Sequence, residues 1–401
     1  MPLFEWRGKS VTGEIRKGVI EAPNPQVVEV YLRRLNITPI NIIPKKEAVF
    51  KFRLRRKFVS EKDLALFTRQ FATMLESGLS IIRALETLAM QQKNISFKEI
   101  ISEIKRKIET GSSLSDAMEE YSKVFGTLYI QMVRSGESAG NLEGVLRRLS
   151  DYLERIIALK AKIKHAMIYP SMIIVVTAIV ISIIMIFVIP KFAQLFKEAG
   201  QTLPLPTLIL IKISYNFKKI FLITLFLFIG LFLAFKYYRK SEKGRYNTDK
   251  ILLKLPLLGE LFHKAAISRI ARTLASLIGS GVPLLQALTI AGQTSGNKVL
   301  EKAMEEIRIN VSAGHSIADP MFYTGVFPYL VVEMVRVGEV AGNLEEMLNK
   351  VADFYEEEVD RTVQTLSTLI EPILLIILGV VIGSILIALY LPIFKLGAVV
   401  G

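Results

Sequence analysis

Across 401 residues there is no cysteine. That absence removes disulfide bonds, thiolate metal sites and cysteine nucleophiles together. Only three histidines occur, His165, His263 and His315. They lie far apart, with no second histidine or acidic ligand at helical spacing, so the residues assemble neither a metal site nor a histidine base. No Walker-type phosphate loop, HExxH or GxSxG pattern is present either. With no assembled catalytic set the chain reads as a non-enzyme, and no cofactor is expected. MPLFEWRGKS is polar and no apolar stretch follows it, so no secretory leader is expected there and the N-terminus is expected to stay in the cytoplasm.

What the chain has in excess is apolar length. Hydrophobic residues make up 51% and the mean hydropathy is +0.40, too high for an ordinary soluble protein. Residues 171–189 (SMIIVVTAIVISIIMIFVI) carry no charge and lie between Pro170 and Pro190, close to the roughly 20 residues that cross a bilayer core. Residues 220–235 form a shorter run, followed by Tyr237, Tyr238, Arg239 and Lys240 as an aromatic and basic anchor. The third run, 373–391, is bounded by Pro372 and Pro392. Spans are therefore expected at 170–190, 220–236 and 372–392, with a short loop at 191–219 and a tail at 393–401. Lys and Arg weigh toward the flanks before the first span, after the second and before the third. The positive-inside bias then puts residues 1–169 and 237–371 in the cytoplasm and the loop and tail outside. Net charge is +14, and the run KKEAVFKFRLRRKF falls in a linker at 45–60. Beside membrane spans, such a basic and aromatic run reads as a linker near anionic headgroups, and no nucleic acid is expected as a partner.

The sequence also says much of its content twice. Residues 136–143 read GESAGNLE and residues 338–345 read GEVAGNLE. FTRQFATMLESGLSIIRAL (67–85) aligns with IARTLASLIGSGVPLLQAL (270–288), pairing Arg69 with Arg272 and Gly78 with Gly281 at an offset of 203. One residue is then lost, and the offset of 202 holds through Pro170 and Pro372. The duplicated unit is thus a cytoplasmic domain (61–169 and 237–371) plus the span after it, while the middle span is a return helix without a counterpart. Leu142, Val145, Leu146, Leu149 and Leu153 form the stripe of an amphipathic helix, which Leu344, Met347, Leu348, Val351 and Tyr355 repeat. An all-α membrane protein follows, with two helical bundles of about six helices each and three transmembrane helices. Residues 1–44 add a small N-terminal α+β module of two strands, a helix and a last strand.

Within this frame the repeated octapeptide has a local reading. Gly136 and Gly140, like Gly338 and Gly342, suit a tight turn between helices, and Asn141 and Asn343 are good N-caps. Asn343 and Glu346 have capping-box spacing. Gly78 and Gly281 punctuate a second turn. Glu137 and Glu339 either cap locally or present a carboxylate to a partner, and Arg69 and Arg272 are further candidates for partner binding. Pro170 and Pro372 stand where the last helix of each copy meets the membrane, tolerated there or kinking the helix. Gly379 and Gly383 form a GxxxG that could admit another helix closely.

Together with KIKHAMIYP before the first span, GQTLPLPT after it and the closing YLPIFKLG, these motifs resemble the inner-membrane platform proteins of type IV pilus assembly and type II secretion, the F-component family. The likeness covers nearly the whole chain, and ADFYEEEVD (352–360) and LYLPIFKLG are more similar to the pilus branch. The resemblance implies a scaffold of the bacterial inner membrane that contacts a cytoplasmic hexameric assembly ATPase and pilin or pseudopilin transmembrane helices. Other inner-membrane assembly proteins and further copies of itself are also implied partners. Its task would be to couple the ATPase to insertion and extraction of pilins at the fibre base, in a pilus machine or, alternatively, in a type II secretion system. A transporter is the competing class, but the first and third spans lack the charged residues a transport path needs. An enzyme at the membrane surface is a third.

Overall fold

The computed structural model describes residues 3–10, 15–44, 59–198, 203–256 and 258–400. Thr12 and Gly13, between the first two expected strands, most of the basic linker at 45–60 and the GQT of GQTLPLPT lie outside the described residues.

The N-terminal module comprises β1 (Leu3–Ser10), β2 (Ile15–Glu21), α1 (Pro25–Arg34) and β3 (Ile37–Pro44). Its sheet runs β2-β1-β3 with both pairings antiparallel. Asn24 starts α1 by accepting the Val27 amide at 3.0 Å, with Pro25 at the first helical position, where its missing amide would have had no partner. Val28 and Leu32 of α1 close a small core with Phe4, Ala22 and Ile37.

The first repeat holds six helices: α2 (Glu61–Glu76), α3 (Ile81–Gln91), α4 (Ile95–Glu109), α5 (Leu114–Glu119), α6 (Ser122–Ser138) and α7 (Leu142–Ala166). Ser60 opens α2 with a capping box to Asp63. After a break at Met167 come α8 (Ile168–Ile183), a π-helical turn (Ile184–Val188) and α9 (Ile189–Glu198). The return helix is α10 (Leu205–Tyr238), and α11 (Glu242–Lys254) leads into the second repeat. That repeat again has six: α12 (Leu258–Gly279), α13 (Leu284–Thr294), α14 (Lys298–Ser312), α15 (Ala318–Tyr323), α16 (Tyr329–Ala341) and α17 (Leu344–Val400). The cores differ in chemistry although the helices match. Phe67 and Phe71 anchor an aromatic cluster with Phe125 and Tyr129 in the first repeat, and buried Ile270 and Leu274 replace the two phenylalanines in the second.

Among the described residues, three helical stretches are long and apolar enough to cross a membrane: Leu142–Phe196, Leu205–Tyr238 and Leu344–Pro392. At 1.5 Å per residue the 57 residues of α17 extend roughly 85 Å, against roughly 30 Å for a bilayer core. One unbroken helix therefore belongs both to the second bundle and to the third span, and Pro372 and Pro392 both lie inside it.

The connection expected as a loop at 191–219 is different. Helix α9 runs to Glu198 and α10 already begins at Leu205. Pro206 sits at the second position of α10, where a missing amide breaks no intrahelical bond, whereas Pro190 follows directly on the π turn in backbone that stays helical through Ile189. Neither proline ends a helix. The far ends of the spans are tied by hydrogen bonds from Thr207 Oγ1 to the Ala388 carbonyl (2.6 Å) and from Ser214 Oγ to the Met185 carbonyl (2.5 Å). The second meets an oxygen in the π turn, where the regular ladder is interrupted. Around them Ile189, Leu210, Ile385, Ala388 and Leu389 are buried together.

Candidate functional site

The octapeptide forms the same structure in both repeats. At the end of α6 the Asn141 amide donates to the Gly136 carbonyl (2.8 Å) and the Gly140 amide to that of Glu137 (3.2 Å), a Schellman closure. Gly140 has φ +67°, and Gly342 repeats that value, with Asn343 donating to Gly338 at 2.9 Å. A side chain at Gly136 would strike Val145, and one at Gly338 would crowd Leu344 and Met347; these glycines let consecutive helices touch. Asn141 Oδ1 accepts the Gly144 amide at 3.2 Å, whereas Asn343 Nδ2 donates to the Glu346 carboxylate.

Glu137 and Glu339 are both fully engaged within their own repeats. Glu137 accepts the Leu114 amide at 2.6 Å and the Ser115 amide at 2.8 Å. Glu339 accepts the Ile317 amide at 2.9 and 3.0 Å and reaches that of Ala318. Each carboxylate therefore caps the positive end of a short helix, α5 or α15, whose first amides have no partner of their own. Nearby, the Ser113 hydroxyl and then the Arg134 guanidinium hold the Asp116 carboxyl below its ordinary range. Ser316 and Arg336 do the same for Asp319.

Arg69 and Arg272 occupy equivalent places and have opposite environments. Arg69 on α2 pairs with Glu154 on α7 at 3.2 Å, its side chain 68% exposed. The corresponding pair is Arg272 on α12 with Glu356 on α17 at 2.9 Å, and there the arginine side chain is only 6% exposed. Arg272 also binds Asn349 Oδ1 at 2.8 Å and Asp353. What covers it is the first repeat: α7 lies over the α12/α17 groove, and its Tyr152 Oη meets Thr273 Oγ1 at 3.2 Å. Burial pushes the Tyr152 phenol above its ordinary range, so this contact is made by a neutral hydroxyl.

A ladder of charges fixes the register. Arg148 pairs with Glu345, Arg155 with Asp353 (2.9 Å) and Lys162 with Asp360 (2.5 Å), and Tyr169 Oη donates to Glu371 at 3.4 Å. Because the numbers rise together, α7 and α17 run parallel toward their spans. Ser135 Oγ adds a bond to the Ser280 carbonyl at 2.6 Å, and Leu159, Leu261, Ala265, Val359 and Leu366 make a shared apolar core beneath. Gly279 lies directly under this seam, and a Cβ there would displace the ends of the Arg148 and Glu345 side chains.

The other expected residues do not converge on this seam. Gly78 and Gly281 form the turns after α2 and α12 with φ near +80° (80° and 77°), and only Gly281 meets the other repeat, at Ser135. Pro170 is buried in the first turn of α8, whereas Pro372 lies within α17. Gly379 and Gly383 face open space, with no atom of another described residue near them. Of the seam's own residues, Glu345 ends the second octapeptide, Asp353, Glu356 and Asp360 fall in ADFYEEEVD, and Lys162 and Tyr169 in KIKHAMIYP, whereas Arg148, Tyr152 and Arg155 carry no motif. Neither does buried Asp249, which joins Arg239 after α10 (2.7 Å) to the Lys298 amide at the start of α14 (2.9 Å).

The two repeats coincide with two matches to one family model, "Type II secretion system (T2SS), protein F", at residues 67–190 and 270–392. The chain belongs to this family. The N-terminal module matches the family's N-terminal domain over residues 1–43. Similar proteins include the type IV pilus assembly protein PilC of Myxococcus xanthus, 38% identical over 99% of this chain and 95% of its own length. PilC of Thermus thermophilus is 37% identical, with 99% and 98% covered. The type II secretion system protein F of Pseudomonas aeruginosa is 32% identical over the full length of both.

Two consequences can be measured by thermal unfolding in detergent. Glu137→Ala and Glu339→Ala each leave amides without an acceptor and should each cost about 1–3 kcal/mol, with glutamine recovering part of the loss. Unchanged stability in both alanine variants would show that these caps carry little. Arg272→Ala should cost about 1–3 kcal/mol by taking the donor from Asn349 and one partner from Glu356 beneath α7, whereas Arg69→Ala should stay within about 1 kcal/mol. Equal effects would mean the two repeats are not differently covered.

Proposed function

We propose that this protein is a non-enzymatic platform in the bacterial inner membrane for type IV pilus assembly. Its N-terminus and both repeats lie in the cytoplasm and its tail in the periplasm. It links a cytoplasmic hexameric ATPase to the insertion and extraction of pilin subunits at the fibre base. The observation that carries this reading is α17, which runs without a break from the second bundle through the third span and is locked in register to α7 by the charge ladder. A torque or displacement applied to either repeat is delivered to two parallel helices at the membrane, because a continuous helix has no joint in which to lose it. The pilus branch is favoured over a secretion platform because the relatives at 37–38% identity are named for type IV pilus assembly, whereas those named for type II secretion stand at 30–33%, beside one pilus relative at 32%.

Affinity capture of the tagged protein from a detergent extract should recover an assembly ATPase and a pilin, and deletion should abolish surface fibres while leaving secretion intact. Loss of secretion with fibres retained would move the protein to the secretion machine. Recovery of neither partner, with fibres and secretion both normal, would sink the platform reading altogether.

A further inference from the structure

Pro190 and Pro392 stand at equivalent places in the two repeats, 202 residues apart, and each removes one amide from the helical ladder near the far end of a span. In α17 the amide missing at Pro392 is the one that would reach the Ala388 carbonyl, four residues earlier. In the first span the π turn moves the pattern back by one residue, since the Ile189 amide donates to the Ile184 carbonyl. The next carbonyl in that series is Met185, and the amide that would reach it belongs to Pro190. These are the two oxygens to which α10 donates. Thr207 Oγ1 reaches the Ala388 carbonyl at 2.6 Å and Ser214 Oγ that of Met185 at 2.5 Å. Other hydroxyls of the spans turn back on their own helices, as Ser171 does to Met167, Ser182 to Ala178 and Ser384 to Val381.

The same two hydroxyls make up most of what α10 buries. Among its 34 residues Thr207, Leu210 and Ser214 are the buried ones, at the i, i+3, i+7 spacing of one helical face. Leu210 packs between them against Ile189 of the first span and Ile385, Ala388 and Leu389 of the third. We propose that α10 is a two-pin fastener in which Thr207 and Ser214 stand in for the amides that Pro392 and Pro190 lack, joining the far ends of the first and third spans. A carbonyl without a donor is costly away from water, and a proline within a helix is a point at which it bends. Each hydroxyl closes such a point while it stays seated. Both pins lie on one helix, about two turns apart, so displacement of α10 frees both span ends at once. The return helix thereby has a task beyond bringing the chain back across the membrane. This inference rests on the fold alone, and its failure leaves the platform reading untouched.

Spin labels at Leu195→Cys on α9 and Phe394→Cys on α17, both exposed positions, report the distance between the two span ends in this cysteine-free chain. With labelled protein diluted in unlabelled, Thr207→Val and Ser214→Ala should each raise the fraction of label pairs outside the native distance peak at least fivefold, while Thr207→Ser stays close to native. The decisive arm restores the amides. Pro392→Ala should bring the Thr207→Val chain back to within twofold of the native fraction, and Pro190→Ala should do the same for Ser214→Ala, whereas the exchanged pairings should not. A second label pair at Lys164→Cys and Thr365→Cys should keep its native distance in every variant. Native distributions in the hydroxyl-free variants, the absence of rescue, rescue by either proline change alike, or a second pair that moves in step with the first would each overturn the proposal.

Discussion

The arrangement of this protein depends on one buried cation. Arg272 is held by Glu356, Asp353 and Asn349 within the second repeat and sealed by α7 of the first. Removing an arginine from water is expensive unless its hydrogen bonds are met by well-placed acceptors, and here the acceptors come from α17 while the cover comes from α7. The same contact that satisfies the charge thus brings together the two helices that lead to the membrane. The apolar core around Val359 supplies the area. The charge ladder supplies the register.

Duplication did not produce two equal halves. Where the second repeat has Gly279, the first has Glu76, and where the second buries Arg272, the first leaves Arg69 in solvent. Gly279 leaves room for the Arg148–Glu345 pair that joins the two repeats, a pair the first repeat's groove does not hold. The return helix α10 explains why both copies can point the same way. Over its second half it is exposed throughout, in keeping with a helix whose sides face lipid or other membrane proteins rather than this chain.

Much of this was legible in the sequence. The spans follow from uncharged apolar runs, the two bundles from an offset of 203 and then 202 residues, and the Schellman turn from a glycine placed before an asparagine. Other features leave no local trace. Pro190 bounds an apolar run in sequence, and only the backbone around it shows that the helix continues through it. The partners of Glu137 are amides 22 and 23 residues earlier, so its capping role is a tertiary fact. The ladder joins residues nearly 200 positions apart, 197 and 198 in its first three rungs, and no periodicity can announce it. Arg69 and Arg272 look alike in sequence because their difference comes from what lies over them.

The central claim is that the first repeat is docked rigidly on the second so that α7 and α17 reach the membrane as one unit. The cysteine-free chain allows spin labels at Lys164→Cys and Thr365→Cys, on α7 and α17 between the third and fourth rungs of the ladder, diluted with unlabelled protein to isolate distances within one chain. Pulsed electron paramagnetic resonance should give a single narrow distance distribution, which Gly279→Glu should broaden or shift by displacing the Arg148–Glu345 pair. A broad distribution in the otherwise native chain, or one that Gly279→Glu leaves unchanged, would contradict the docking.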